Sequence, residues 1–158
     1  MKTRRLGQFD VSLVGLGCNN FGMRCDEKQT GVVVNAALDA GINFFDTADV
    51  YGATLSETYI GKALGKRRDE VILATKFGSK VTEVVGKEFK QIEDSGGGSR
   101  KWITRAVEDS LRRLGTDRIE LYQMHAPDSN VPFEETLEAL NELVKQGKVL
   151  EIGCSNYS

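Results

Sequence analysis

Long apolar runs, charge of a single sign and paired cysteines are all scarce in this sequence of 158 residues. No stretch of 18 apolar residues occurs, and Met1–Arg5 leads into no apolar segment, so we expect neither a membrane span nor a secretory leader. Acids and bases are interspersed and the formal net charge is −2, which argues against nucleic-acid and anionic-membrane partners. These absences predict a cytoplasmic protein that acts on a small molecule.

The cysteines are few and odd in number: Cys18, Cys25 and Cys154. They show no paired spacing of the kind that binds a metal, so we expect reduced, buried thiols, no disulfide scaffold and no metal site. A hydrophobic fraction of 40% over this length is enough to build one real core. We therefore predict a single domain over residues 1–158.

Apolar runs of strand length alternate with segments of helical periodicity. This alternation is typical of parallel β/α architecture, and it predicts an α/β fold made of the first five strand-helix units of a (β/α)8 barrel of the TIM-barrel type, with the helices outside. Strands are predicted at Ile42–Asp46, Val71–Thr75, Ile119–Met124 and Val149–Gly153, and helices at about Asp26–Ala40, Thr54–Gly65, Ser99–Gly115 and Pro132–Gly147.

Finer details of these elements are also predicted from local pattern. Thr3–Leu6 and Val11–Leu16, around Gly7, suggest a short β-hairpin leading into the first barrel strand. Gly78–Gly98 is interpreted as a long irregular insertion, and its glycine run as a flexible loop, because no Gly-Lys-Ser/Thr follows it as in a phosphate-binding loop. Thr54 and Glu57 have the spacing of a capping box. The last helix is expected to turn four apolar residues inward: Phe133, Leu137, Leu140 and Val144.

The candidate site lies where successive strands end. Asp46 ends the second strand, Lys76 the third and His125 the fourth, while Tyr51 lies just beyond Asp46. In a parallel barrel these carboxyl ends converge on one face, which is where such enzymes do their chemistry. Four such groups in register at three strand ends and an adjacent loop favour a functional site over four unrelated structural roles.

The four side chains suit the delivery of a proton. A lysine in the barrel mouth loses hydration and needs a counter-ion, which Asp46 on the neighbouring strand can supply. A phenol with an unperturbed pKa of about 10 is a poor acid at neutral pH, so Tyr51 needs a nearby cation to stabilise its phenolate, and Lys76 is the candidate. His125, the only histidine, can orient a substrate oxygen or assist the transfer.

Several motifs together resemble the aldo-keto reductase superfamily along the whole chain. The most specific is the Asp-Thr-Ala-x-x-Tyr-Gly stretch at positions 46–52. The other matching segments are Gly15-Leu16-Gly17-Cys18, Ser56-Glu57, Gly61-Lys62-Ala63-Leu64, Ala74-Thr75-Lys76-Phe77-Gly78, Leu114-Gly115-Thr116-Asp117, Leu121-Tyr122-Gln123-Met124-His125 and Ile152-Gly153-Cys154-Ser155-Asn156.

The resemblance implies an NAD(P)H-dependent oxidoreductase that reduces an aldehyde or ketone to an alcohol. It implies a catalytic tetrad of Asp46, Tyr51, Lys76 and His125, with Tyr51 as proton donor. Ser155 and Asn156 match residues that hold the nicotinamide carboxamide. NADPH is the expected cofactor, with NADH as the alternative, and the family pattern includes no metal.

The family barrel has eight strands, whereas this sequence covers five. The first and fifth strands are then unpaired edges, which predicts self-association or a complementing chain to cover them. Two other functions stay open: a non-catalytic nucleotide-sensing or scaffold module of the same fold, and a barrel lyase or isomerase that uses a Lys76 Schiff base. Phe21, Phe77 and Trp102 are candidates for lining the substrate pocket, although packing in the core suits them better.

Overall fold

Strands alternate with helices from Gly15 onwards in the computed structural model, which describes residues 1–157. The strands are β1 (Thr3–Leu6), β2 (Phe9–Ser12), β3 (Gly15–Gly17), β4 (Phe44–Asp46), β5 (Ile72–Phe77), β6 (Thr82–Val85), β7 (Glu88–Gln91), β8 (Ile119–Met124) and β9 (Val149–Cys154). The helices are α1 (Glu27–Asp39), α2 (Leu55–Leu64), α3 (Arg100–Leu114) and α4 (Phe133–Lys145), with a 3-10 helix at Gly65–Glu70. The predicted domain ends at Ser158, which lies outside the described residues.

Five parallel strands form the central sheet, in the order β3-β4-β5-β8-β9. The register pairs Asp46 with Ala74 and Lys76 with Gln123, so the carboxyl ends of the strands lie side by side. Within residues 1–157 the sheet does not close, and β3 and β9 are its edges. The prediction of an incomplete (β/α)8 barrel with helices outside is confirmed.

The core lies between the outer face of the sheet and the helices. Because side chains alternate along a strand, Thr75 and Phe77 of β5 face the helices while Lys76 faces the barrel mouth. The ring of Phe77 stacks on that of Tyr122 with centroids 4.7 Å apart. Phe21, Phe77 and Trp102 are all buried in this core, which confirms packing as their role.

The N-terminal hairpin differs from its predicted bounds. Its second strand is Phe9–Ser12, paired antiparallel with β1, and not Val11–Leu16. The prediction was wrong because the side chain of Asn43 holds the chain at Ser12: its Oδ1 accepts from the Ser12 amide at 2.7 Å, and its Nδ2 donates to the Asp10 carbonyl at 3.0 Å. The chain then turns, and Gly15 begins the first parallel strand.

The Gly78–Gly98 insertion contains the antiparallel hairpin β6–β7, so the prediction that the whole insertion is irregular is wrong. Buried Val81 and Ile92 flank the hairpin, and the Ile92 amide donates to the Val81 carbonyl at 2.8 Å. The hairpin itself projects outward, so its strands lack the alternating buried pattern that identifies a strand in a sequence.

Helix α2 lacks the predicted capping box. The Thr54 side chain makes no capping hydrogen bond, and its backbone is left-handed at φ +73°. Glu57 does not turn back to the helix start, because its buried carboxylate is held by Thr75 and Arg113 instead. A capping box is present instead at α1, where the Asp26 side chain accepts from the Gln29 amide and the Gln29 side chain accepts from the Asp26 amide.

Helix α4 is rotated relative to its predicted orientation. Leu140 is buried, but Phe133, Leu137 and Val144 are exposed. The buried face instead includes the small residues Thr136 and Ala139, which allow close packing against the sheet. An apolar groove of about 180 Å³, which we call the outer groove, runs between α4 and β9. It is lined by Phe133, Leu137, Leu140, Ile152 and Tyr157, among others.

None of the helices described within residues 1–157 combines the length and the hydrophobicity needed to cross a bilayer.

Candidate functional site

Asp46 and Lys76 form a close ion pair in the barrel mouth. The Lys76 Nζ donates to Asp46 Oδ2 at 2.6 Å and to the Thr47 carbonyl at 2.9 Å. Lys76 is only 6% exposed, so its ammonium group depends on these two oxygen partners in place of water. The pairing predicted from neighbouring strand ends is present.

Tyr51 lies over this ion pair, in the loop between β4 and α2. The Lys76 Nζ is 5.2 Å from the centroid of the Tyr51 ring, and the His125 ring meets the same ring edge-on, with centroids 5.7 Å apart. The Tyr51 ring is therefore close to both an ammonium group and an imidazole. The structure brings together the four side chains that the sequence places at three strand ends and one loop.

His125 is half-buried, directly after β8. Burial lowers the pKa of its imidazole, the charge of Lys76 lowers it further, and Asp46 opposes both effects. The imidazole is therefore neutral at neutral pH, and a neutral imidazole carries one N–H donor and one acceptor. Its Nδ1 has no hydrogen-bond partner among residues 1–157. Such a group can bind a neutral oxygen without adding a second cation beside Lys76.

Ser155 and Asn156 follow β9 at the same rim. The Asn156 Nδ2 donates to the His125 carbonyl at 2.8 Å and contacts Ser155 Oγ at 3.2 Å, with the Asn156 backbone in the left-handed region at φ +61°. An amide and a hydroxyl side by side offer both donors and acceptors, as recognition of a carboxamide requires. This pair could therefore bind an amide group of a ligand at the rim.

Gln123 is a site residue whose role the sequence did not reveal. Its Nε2 donates to Asp46 Oδ1 at 3.2 Å, so each oxygen of that carboxylate has its own partner. Gly153 on β9 provides the space, because a Cβ there would lie 3.2 Å from Gln123 Cγ. The alternation of side chains placed Gln123 on the face of His125, but the contact with Asp46 depends on packing across three strands.

The prediction of three buried thiols is correct for Cys18 but wrong for Cys154, which is exposed at the end of the edge strand β9, while Cys25 is partly buried. Cys18 is fully buried behind Asp46, whose carbonyl accepts from the Cys18 amide at 2.9 Å. Burial raises the pKa of its thiol strongly, so it is not a nucleophile at neutral pH. The insertion borders the mouth at Gly78, where the Phe77 carbonyl accepts from the His125 amide at 2.8 Å.

Comparison with known proteins agrees with this geometry. The sequence model described as the Aldo/keto reductase family matches residues 13–158. An uncharacterized oxidoreductase of Bacillus subtilis, YrpG, is 45% identical over 155 residues, which are 94% of this chain and 46% of that protein. The aldo-keto reductase YhdN of the same organism is 42% identical, over 94% of this chain and 44% of its own length.

A solved structure, aldo-keto reductase AKR11C1 from Bacillus halodurans in its holo form, superimposes with a TM-score of 0.86 at 40% identity. The match covers 99% of this chain and 50% of that one. The open parallel β/α sheet, with polar side chains gathered at the carboxyl ends of its strands, is the fold of a partial (β/α)8 barrel. The chain belongs to the aldo/keto reductase family of oxidoreductases. It spans about half the length of the curated relatives it matches.

Proposed function

We propose that this chain contributes the proton-donating half of an NAD(P)H-dependent reductase that converts an aldehyde or ketone to an alcohol. The observation that carries the proposal is the approach of Tyr51 to both Lys76 and His125 above the Asp46 ion pair. We further propose that residues 1–158 belong to one partial barrel domain of the aldo-keto reductase type.

Tyr51 donates its phenolic proton to the substrate oxygen as the carbonyl is reduced. The ammonium group of Lys76 stabilises the phenolate that remains, and Asp46 keeps that ammonium charged and in place. His125, neutral at neutral pH, donates a hydrogen bond that orients the same oxygen. Ser155 and Asn156 would hold the carboxamide of a reduced nicotinamide, NADPH or alternatively NADH, and the chemistry that such a cofactor would supply is hydride donation to the carbonyl carbon.

A test mixes the purified chain with NADPH and a reactive aromatic aldehyde and follows oxidation of the cofactor. Tyr51→Phe keeps the ring but removes the proton, so we expect turnover to fall by about 100-fold or more. Wild-type turnover in Tyr51→Phe would rule out Tyr51 as the donor. Glu138→Gln, which changes a largely exposed carboxylate on α4, is the control and is expected to leave turnover unchanged.

The same preparation separates the alternatives. Dinucleotide binding without turnover would favour a nucleotide-sensing or scaffold module of the same fold. Borohydride trapping of substrate on Lys76 would favour a lyase or isomerase, but the close Asp46 carboxylate favours the charged amine over the neutral nucleophile that such chemistry needs. Absence of both binding and folding would mean that these residues need the rest of a larger barrel.

The partner proposal follows from the open sheet. Within residues 1–157, β3 and β9 each pair with one neighbouring strand of the central sheet, and the outer groove beside β9 is apolar. We propose that a second copy of the chain or a complementing chain covers these surfaces, and that the other partner is a small carbonyl compound. A cytoplasmic location stays a prediction.

A further inference from the structure

The three residues after Tyr51 have left-handed backbone, a conformation that the two with side chains, Ala53 and Thr54, disfavour. Gly52, Ala53 and Thr54 all have positive φ, at 59°, 53° and 73°. For residues with a side chain this region costs about 1–3 kcal/mol each, so the surroundings must impose it. At Gly52 a Cβ would overlap the Phe21 carbonyl oxygen, which shows how closely the turn is packed.

The first turn of α2 anchors this segment to the sheet. The Ser56 amide donates to the Tyr51 carbonyl at 3.2 Å, and the Ser56 hydroxyl donates to the Cys18 carbonyl at 2.9 Å. Glu57 is fully buried: its Oε1 accepts from Thr75 Oγ1 and its Oε2 from Arg113 Nε, both at 2.6 Å. One carboxylate thus joins α2, β5 and α3.

Thr75 and Lys76 are consecutive residues of β5 and point to opposite faces of the sheet. Lys76 holds Asp46 in the barrel mouth, while Thr75 holds Glu57 behind it. We propose that Glu57, acting through Thr75, is a positioning residue that sets where the Tyr51 ring lies relative to Lys76 and His125. The position of the proposed proton donor is then determined behind the sheet, away from the substrate.

The charges around Glu57 fit this assignment. Arg113 is the cation that contacts it, and burial raises the pKa of nearby Asp49, as does the charge of Glu57. Both Asp49 carboxylate oxygens lack a hydrogen-bond partner among residues 1–157. Arg113 and Glu57 form a direct ion pair at 2.6 Å with both side chains almost completely buried, so the carboxylate that holds Thr75 is itself held by a cation.

This inference rests on the proposed function only in giving Tyr51 a role, and its test needs neither cofactor nor turnover. His125 is the only histidine, so its imidazole protons give one assignable set of NMR signals. The Tyr51 and His125 rings are nearly perpendicular with centroids 5.7 Å apart, which is close enough for the Tyr51 ring current to shift these signals. Tyr51→Leu defines the shift caused by loss of the ring, and Tyr51→Phe is the reference that keeps it.

Thr75→Val removes the hydroxyl at nearly constant shape, whereas Thr75→Ser keeps the hydroxyl. We expect Thr75→Val to move the His125 signals by at least half of the displacement that Tyr51→Leu causes, and Thr75→Ser to leave them in place. Thr136→Val is the matched control, because Thr136 is also buried and its hydroxyl donates to the Gly98 carbonyl at 2.8 Å. Lost stability alone changes the folded fraction but not the native signals.

Unmoved His125 signals in folded Thr75→Val would overturn the proposal, as would equal displacement in Thr75→Ser or in Thr136→Val. If the fluorescence of buried Trp102 shows that Thr75→Val does not fold, the double change Glu57→Leu with Arg113→Met removes both charges and the acceptor of the Thr75 hydroxyl together, and it leaves no unpaired ion. The same displacement is expected there, and its absence is equally decisive. Failure of this test with intact turnover dependence on Tyr51 would leave the proposed function standing.

Discussion

Lys76 is the residue around which the candidate site is organised. It contacts Asp46 and the Thr47 carbonyl directly, lies over the Tyr51 ring, and lowers the pKa of His125. One buried cation is thereby close to both the proposed proton donor, Tyr51, and the imidazole that we propose orients the substrate oxygen. Its own hydration is replaced by protein oxygens, so its position is well defined.

The pKa of the His125 imidazole depends on this arrangement of charges and can be measured directly. Because burial and then Lys76 lower its pKa while Asp46 raises it, Lys76→Met should raise the pKa and Asp46→Asn should lower it further. An NMR titration of the single histidine checks both shifts. No change in Lys76→Met would contradict the arrangement of charges seen here.

The same shift has a consequence for stability. The folded-state pKa of His125 lies below its unfolded value of about 6.5, so the unfolded chain takes up a proton first as the pH falls. We expect this residue's contribution to the free energy of unfolding to be lost as the pH falls from about 6.5 through the folded-state pKa. Urea unfolding of wild type and His125→Asn at pH 7.5 and 5.5 checks it. An equal pH dependence in both proteins would count against the shift.

At the scale of elements, α4 shows how a helix is placed by its neighbours. Its apolar residues are not all covered by the sheet: Leu140 is buried, whereas Leu137 is partly exposed along the outer groove. The buried face of the helix consists of Thr136, Ala139, Leu140 and Leu143, so its rotation differs from the one that the apolar spacing predicts.

Two leucines on this helix should therefore respond differently to truncation. Leu140→Ala is expected to cost about 2–5 kcal/mol because it leaves a cavity in the core. Leu137→Ala, which is the matched control, should cost less than about 1 kcal/mol because the side chain is already 39% exposed. Denaturant unfolding followed by Trp102 fluorescence gives both values. Equal losses would mean that the outer groove is covered in solution.

At the scale of the whole molecule, the sheet presents two open edges and an apolar groove. Ile152 belongs to both β9 and the outer groove and is 41% exposed. An exposed edge with an apolar face favours pairing with another chain, and a lysine on such an edge opposes it.

We expect the chain to sediment at masses above that of the 17.4 kDa monomer as its concentration rises, and Ile152→Lys to weaken this association. Sedimentation velocity over a range of concentrations checks both expectations. Lys145→Glu, an exposed change near the end of α4, serves as the control. A wild-type chain that stays monomeric throughout would remove self-association and leave a complementing chain as the partner.

The sequence alone determined the features that depend on local periodicity. Alternating strand and helix patterns placed Asp46, Lys76 and His125 at the ends of neighbouring strands, and parallel strands bring such ends together. Only the tertiary structure decided the contacts of Glu57 and Gln123, the hairpin within the insertion and the exposed face of α4. Glu57 had the local spacing of a helix cap, yet the buried hydroxyl of Thr75 and the guanidinium of Arg113 hold it elsewhere. Partners distant along the chain outweighed local preference because a buried carboxylate must have its hydrogen bonds wherever the fold provides them.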